Sequence, residues 1–186
     1  MKVWKPPAPG EFKVNCDASV SANGLFVGFG CVCRDSQGGF IAAMGDRLAS
    51  RISPLTAELN AILHSLEWAN QFSWERCIIE TDCQEAVCMI SAGEECLASD
   101  GVIVESIKRV LAGSRVHSVI FAPREANRAA HEIACFVARG DGRCDWFGIG
   151  PPWLMSVISN DSPVTSRDAR GEGRASSPLS EVPLLM

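Results

Sequence analysis

Three carboxylates, Asp17, Glu58 and Asp82, have the types and spacing to do chemistry. Asp17 sits in Phe12-Lys13-Val14-Asn15-Cys16-Asp17-Ala18, where apolar and polar residues alternate. A period of two puts Phe12, Val14, Cys16 and Ala18 on one face of a strand and Lys13, Asn15 and Asp17 on the other. Glu58 falls on the flank of a helical pattern and Asp82 at the end of a short strand pattern. Acids on successive elements offer hard oxygen ligands, and Mg²⁺ needs only one or two of them per ion because it keeps several waters. Two such ions about 3.5–4 Å apart activate a water and stabilise the leaving oxygen of a phosphodiester. That chemistry requires the three elements to converge.

The elements that must position them follow from pattern and punctuation. After a Pro-rich lead-in over residues 1–10 come three strand-like runs, about 11–20, 25–34 and 39–48. Ser21-Ala22-Asn23-Gly24 separates the first pair and Asp35-Ser36-Gln37-Gly38-Gly39 the second. Asn-Gly and Gly-Gly supply the positive φ of hairpin turns, so the runs form an antiparallel meander. Ser53-Pro54 then opens a helix, with Ser53 as N-cap and Pro54 in the first position. Leu55, Leu59, Ile62, Leu66 and Ala69 make one apolar stripe, with Glu58 on its flank. A strand from Arg76 to Thr81 places Asp82 at its C-terminal end, where an Asp can also cap the helix that follows. Helices near 83–92 and 100–113, a strand from Val116 to Phe121 and a helix from Arg124 to Arg139 complete the pattern. The expected fold is α/β: a mixed sheet, made of the three-stranded meander plus two further strands, flanked by helices. Residues 11–158 read as one domain, with Trp146 and Trp153 packing back on it. From 159 to 186 the composition turns to Ser, Arg, Gly and Pro and reads as a disordered tail.

Composition narrows the function classes. The chain has 186 residues, a net charge of −5 and 47% hydrophobic content. No 18-residue apolar run spans a membrane, and Met1 to Pro7 lacks the apolar stretch of a signal peptide, so an intracellular setting, nuclear or cytoplasmic, is expected. Nine cysteines include no Cys-x-x-Cys pair, which argues for thiols used as small core residues in a reducing compartment rather than for zinc. The negative balance argues against broad salt-driven adhesion to nucleic acid. It leaves a nuclease open, because bound cations neutralise the acids that hold them.

Four strings carry a resemblance. Lys13 to Ala18 followed by Gly28-Phe29-Gly30-Cys31-Val32-Cys33-Arg34-Asp35-Ser36-Gln37-Gly38 resembles the opening hairpin of type 1 ribonuclease H. It is similar, more narrowly, to the plant domains related to retrotransposon reverse transcriptases. Thr56-Ala57-Glu58-Leu59-Asn60-Ala61 matches that family's helix with the second acid, and Ile79-Glu80-Thr81-Asp82-Cys83 its strand end with the third. Arg124-Glu125-Ala126-Asn127-Arg128-Ala129-Ala130-His131-Glu132-Ile133-Ala134 resembles its last helix. Trp4-Lys5-Pro6-Pro7 and Pro152-Trp153-Leu154 resemble its two ends, so the resemblance covers about residues 4–158.

The resemblance implies an endonuclease, acting as a monomer, that cuts the RNA strand of RNA·DNA hybrids with two Mg²⁺ or Mn²⁺ ions on Asp17, Glu58 and Asp82. Position 131 should hold a fourth acid and has His131 instead, a nitrogen ligand that suits Mg²⁺ poorly. The family's loop histidine is replaced by the stretch Phe121-Ala122-Pro123-Arg124. Asn60, Arg124 and Asn127 are candidate substrate contacts. The alternative these departures leave open is a domain that binds hybrid or structured RNA without cutting it.

Overall fold

A computed structural model of the chain describes residues 3–74, 76–92, 100–140 and 142–161. Three strands, β1 (Phe12–Val20), β2 (Phe26–Arg34) and β3 (Phe40–Ala49), form the expected meander, with Gly24 (φ 67°) in the first turn and Gly38 (φ 81°) in the second. Helix α1 (Pro54–Ala69) starts where its cap predicts: the Thr56 amide donates to the Ser53 hydroxyl at 3.0 Å. β4 (Cys77–Thr81), α2 (Gln84–Ser91), α3 (Gly101–Gly113), β5 (Val116–Phe121) and α4 (Arg128–Arg139) follow in the predicted order.

Three differences from the sequence reading have physical causes. The expected helix from Arg124 is broken: a 3-10 turn covers Arg124–Ala126 and α4 begins at Arg128. Between them Asn127 (φ −111°, ψ 10°) leaves helical geometry, and its buried amide bonds to β1. The sheet has six strands rather than five, because β6 (Cys144–Phe147) pairs antiparallel with β3. Four residues leave a periodicity too short to read, and the partner strand lies about a hundred positions away. Helix α5 (Pro152–Asp161) runs beyond position 158, and its last residue is buried. The rest of the expected tail, from 162, lies outside the described residues.

Strand order is β5-β4-β1-β2-β3-β6, with β4 parallel to both β1 and β5. Helices cover both faces. Val14, Cys16, Cys31 and Cys33 point toward Leu59, Ile62, Leu66 and Ile107 of α1 and α3. The opposite face, carrying Val32 and Ala43, meets Ala129 and Ile133 of α4 and Leu154 and Ile158 of α5. Eight free thiols are seen among the described residues, four of them buried, as expected for cysteines used as core residues.

Two glycines decide how close α4 comes. A Cβ on Gly28 or Gly30 would collide with the α4 backbone at Ala134. Their absence of side chains lets the helix lie directly on β2, across from small residues Ala130, Ala134 and Ala138. Gly30 is the cross-strand neighbour of Asp17. The closest approach of α4 to the sheet therefore falls beside the first acid.

Candidate metal centre

The register explains the meeting of the three acids. The last pair between the parallel strands β1 and β4 is Cys16 with Thr81. Asp17 and Asp82 are each the next residue, so they lie side by side where that pairing ends. Beyond it β1 keeps its partner β2 and is free on the other side, which opens a gap in the sheet. Glu58 enters that gap from α1, although α1 covers the opposite face from the one Asp17 shares with Gly30. Carboxylate oxygens of Asp17, Glu58 and Asp82 all lie within 4.8 Å of one another.

The electrostatics are those of crowded like charges. Burial, then the charges of Asp17 and Asp82, push the Glu58 carboxyl up to about 8, against a backbone hydrogen bond at Ala18 and the Arg124 charge. Burial, then the charge of Asp17 and a hydrogen bond with it, push Asp82 up to about 6. Glu58 Oε2 is buried with no partner, an atom whose desolvation is unrepaid by the protein. Three converging carboxylates, one of which carries an orphaned oxygen, and raised carboxyl pKa values fit a hard divalent cation. Such an ion would complete the coordination of Glu58 and cancel the repulsion.

His131 takes its place from the other side. One α4 turn after Asn127, its Nδ1 donates to Asp17 Oδ2 at 2.8 Å. The hydrogen bond to Asp17, and then its charge, raise the imidazole pKa, against partial burial and Arg124. Its Nε2 lies 3.5 Å from Cys135 Sγ, which in turn is 3.2 Å from Ser19 Oγ. Cys135 and Ser19 were missed as neighbours of the site. The i, i+4 spacing of His131 and Cys135 on one helix was the available signal.

The remaining candidates separate. Arg124 is exposed, and its charge is felt at Glu58, Asp82 and His131, so it stands at the rim. Asn60 donates to the Thr56 carbonyl of its own helix at 2.7 Å and is half-buried. Asn127 is buried, not at a substrate surface: its Nδ2 donates to the Cys16 carbonyl at 2.9 Å and its Oδ1 accepts from Asn15 at 3.1 Å. It ties α4 to the strand residue just before Asp17. Asp82 does not cap α2; the N-cap is Cys83, and Thr81 Oγ1 accepts from the Cys83 amide. That leaves the Asp82 carboxylate to the cluster.

Comparison with known proteins agrees with this architecture. Among curated proteins none matches in sequence. In structure the chain is similar to RNase H1 of the halophilic archaeon Halobacterium salinarum, with TM-score 0.62, 22% identity, and coverage of 68% of this chain and 96% of that one. The N-terminal RNase H domain of Rv2228c from Mycobacterium tuberculosis gives 0.60 at 16% identity, covering 69% and 93%. LC11-RNase H1, isolated from compost and solved with an RNA/DNA hybrid, gives 0.59 at 15%, covering 68% and 96%. At these identities the likeness shows a ribonuclease H fold. The family model described as reverse transcriptase-like matches residues 15–137, a span that runs from β1 to α4 and contains all three acids and His131, and the chain belongs to that family.

Proposed function

We propose that the protein is a divalent-cation-dependent endonuclease acting on the RNA strand of RNA·DNA hybrids. The observation that carries this reading is the convergence of Asp17, Glu58 and Asp82 within 4.8 Å at the end of a strand pair. Mg²⁺ or Mn²⁺ held there, as two ions, would supply Lewis-acid stabilisation of the phosphoryl group and a more acidic water. Asp17 from the sheet, Glu58 from the opposite layer and Asp82 from the end of β4 would hold them. Arg124 at the rim would meet backbone phosphate, and contacts to 2′-hydroxyls would favour hybrid with little sequence preference. The complex of LC11-RNase H1 with an RNA/DNA hybrid and the four motif strings support this substrate. The strings also support a plant, retrotransposon-related ancestry, and we take the acting form to be an intracellular monomer, nuclear or cytoplasmic.

One observation favours a second reading. His131 occupies the fourth position and holds Asp17 Oδ2 in an ion pair, so one ligand oxygen is already engaged. In that reading the domain binds hybrid or structured RNA without cutting. A labelled hybrid incubated with Mg²⁺ and Mn²⁺ in parallel, with Asp17→Asn as control, decides between them. Cleavage that the substitution abolishes is the expected result. Binding of intact hybrid under both metals would sink the nuclease and leave the binding module.

A further inference from the structure

A phosphodiester must approach three carboxylates to be cut, and the chain as a whole is negative. Before metal is bound, attraction has to come from cations beside the site, and their placement on the fold is specific. On α4, Arg128, His131, Cys135 and Arg139 recur at intervals of three or four. At 3.6 residues per turn they fall within about 80° of one another around the helix axis. The buried side of that helix is Ala129, Ala130, Ile133, Ala134, Val137 and Ala138, so this stripe is its outer face. Arg128 and Arg139 are exposed, and neither makes an ion pair among the described residues. Arg139 Nε donates to the Cys135 carbonyl at 3.0 Å, which holds the guanidinium along the helix. Besides Asp17, which His131 touches, two acids adjoin the stripe. Glu132, half-buried on α4, pairs with neither arginine, and Asp161 of α5, which is buried, feels the charge of Arg128.

We propose that this outer face of α4 is the docking surface for the sugar-phosphate backbone of the nucleic acid, with Arg128 and Arg139 as its phosphate contacts. The proposal rests on the nuclease or hybrid-binding reading above. Eleven helical steps separate the two arginines by about 16 Å along the axis. His131, at one edge of the stripe, touches Asp17, so a strand lying along the stripe would pass beside the acid cluster. Guanidinium groups also match phosphate in a bidentate geometry that lysine lacks. The close seating of α4 on Gly28 and Gly30 makes the surface rigid, which limits the entropy lost on binding.

The test uses the full chain in EDTA, where the strand stays intact, and reads fluorescence anisotropy of a labelled RNA·DNA hybrid between 50 and 200 mM salt. The double variant Arg128→Ala/Arg139→Ala is expected to bind about tenfold more weakly at the low-salt end, with the slope of log K against log salt reduced by about 1.8, at ~0.9 per lost phosphate contact. Arg128→Lys/Arg139→Lys should restore the slope, and Arg109→Ala on α3 should leave it unchanged. A melting curve of each variant checks that the fold persists. An unchanged slope in the double alanine variant overturns the surface while leaving hybrid binding standing. No saturable binding by the parent chain overturns both readings. If the double variant loses affinity for a polyglutamate probe and not for hybrid, the face belongs to an acidic protein and the proposal fails.

Discussion

One face of β1 carries Lys13, Asn15 and Asp17 in sequence, and its two ends are treated in opposite ways. Lys13 and Asn15 are enclosed in a mixed-charge network. Lys13 Nζ sits 2.9 Å from Glu80 Oε1. Trp4 Nε1 and Asn15 Nδ2 donate to Glu80 Oε2, and Arg34 Nη2 donates to Asn15 Oδ1 at 2.8 Å. Arg34 is wholly buried and stacks 3.5 Å over the Trp4 ring. It also faces Asp161 at 3.9 Å, a contact too long for a hydrogen bond. Burial lowers the Arg34 pKa to about 10, with Asp161 and Glu80 opposing. Two residues along the strand, Asp17 meets two further acids and a single histidine. The first cluster joins the lead-in, the meander, β4 and α5, and its charges largely answer one another. The second has more negative charge than His131 and the more distant Arg124 offset among the described residues. Balanced buried charge holds the lead-in and α5 to the sheet, whereas unbalanced charge is what a cation site requires.

The sharpest way to break the contrast is to neutralise one residue in each cluster. Asp17→Asn should lower hybrid cleavage on the order of 10³-fold, since losing a metal ligand forfeits several kcal/mol of transition-state stabilisation. Its melting temperature should hold or rise, because a repelling charge is gone. Arg34→Ala should do the reverse. It removes the cation that faces buried Asp161 and the donor to Asn15 Oδ1, and should cost about 3–5 kcal/mol of stability, read by urea unfolding. If Asp17→Asn destabilises as much as Arg34→Ala, the distinction between the two clusters is wrong.

Gly30→Ala tests how the second cluster is built. A Cβ there meets the Ala130 carbonyl and the Ala134 amide of α4, backbone atoms that have nowhere to move. A loss of about 1–3 kcal/mol is expected from overpacking, together with loss of the His131 to Asp17 contact. The imidazole pKa, followed by NMR, should then fall back toward that of a free histidine. A pKa that stays raised would show that the close seating of α4 does not position His131.

Much of this was legible in sequence, for reasons particular residues make plain. Alternation around Asp17, the Ser53-Pro54 start and the hairpin glycines are local signals, and the elements they imply formed. Asp17, Glu58 and Asp82 met because their elements have standard order. What escaped depends on non-local facts. β6 exists only because β3 offers it an edge. Asn127 reads like an exposed helix residue, yet it is drawn inward by the Cys16 carbonyl. Glu80, two residues before Asp82 on the same strand, stays out of the acid cluster because it still pairs with β1 at Asn15.

Proton linkage separates the clusters more gently. Glu58, Asp82 and His131 all hold protons more tightly in the fold than ordinary groups of their kind. Their contribution to stability is therefore full at low pH and lost as pH rises through the folded values. For Glu58 that window runs from the usual carboxylate range to about 8. Metal-free protein should lose stability across it in urea titrations. Added Mg²⁺ or Mn²⁺ should flatten or reverse the slope, since binding favours the ionised folded state. Glu58→Gln should remove most of the slope, and Arg34 variants should leave it in place. A metal-free stability that rises from pH 5 to 8 would contradict the crowding of like charges.

The smallest expected effect concerns the histidine itself. His131→Asp replaces a nitrogen donor that engages Asp17 with a fourth oxygen ligand. An acid there frees Asp17 Oδ2 from its ion pair and adds hard-ligand character, so Mg²⁺ should gain on Mn²⁺. The gain should be about tenfold in Mg²⁺ affinity, the scale on which partners of metal ligands act, measured by calorimetry and by the ratio of cleavage rates under the two ions. The same change worsens repulsion in the empty site, so the metal-free variant should melt lower than the parent and recover more on adding Mg²⁺. If the Mg²⁺ to Mn²⁺ ratio does not move, His131 neither competes for Asp17 nor stands where a fourth ligand would act. The histidine would then be only the protein's own partial answer to the charge of Asp17, in a cluster that a divalent cation would complete.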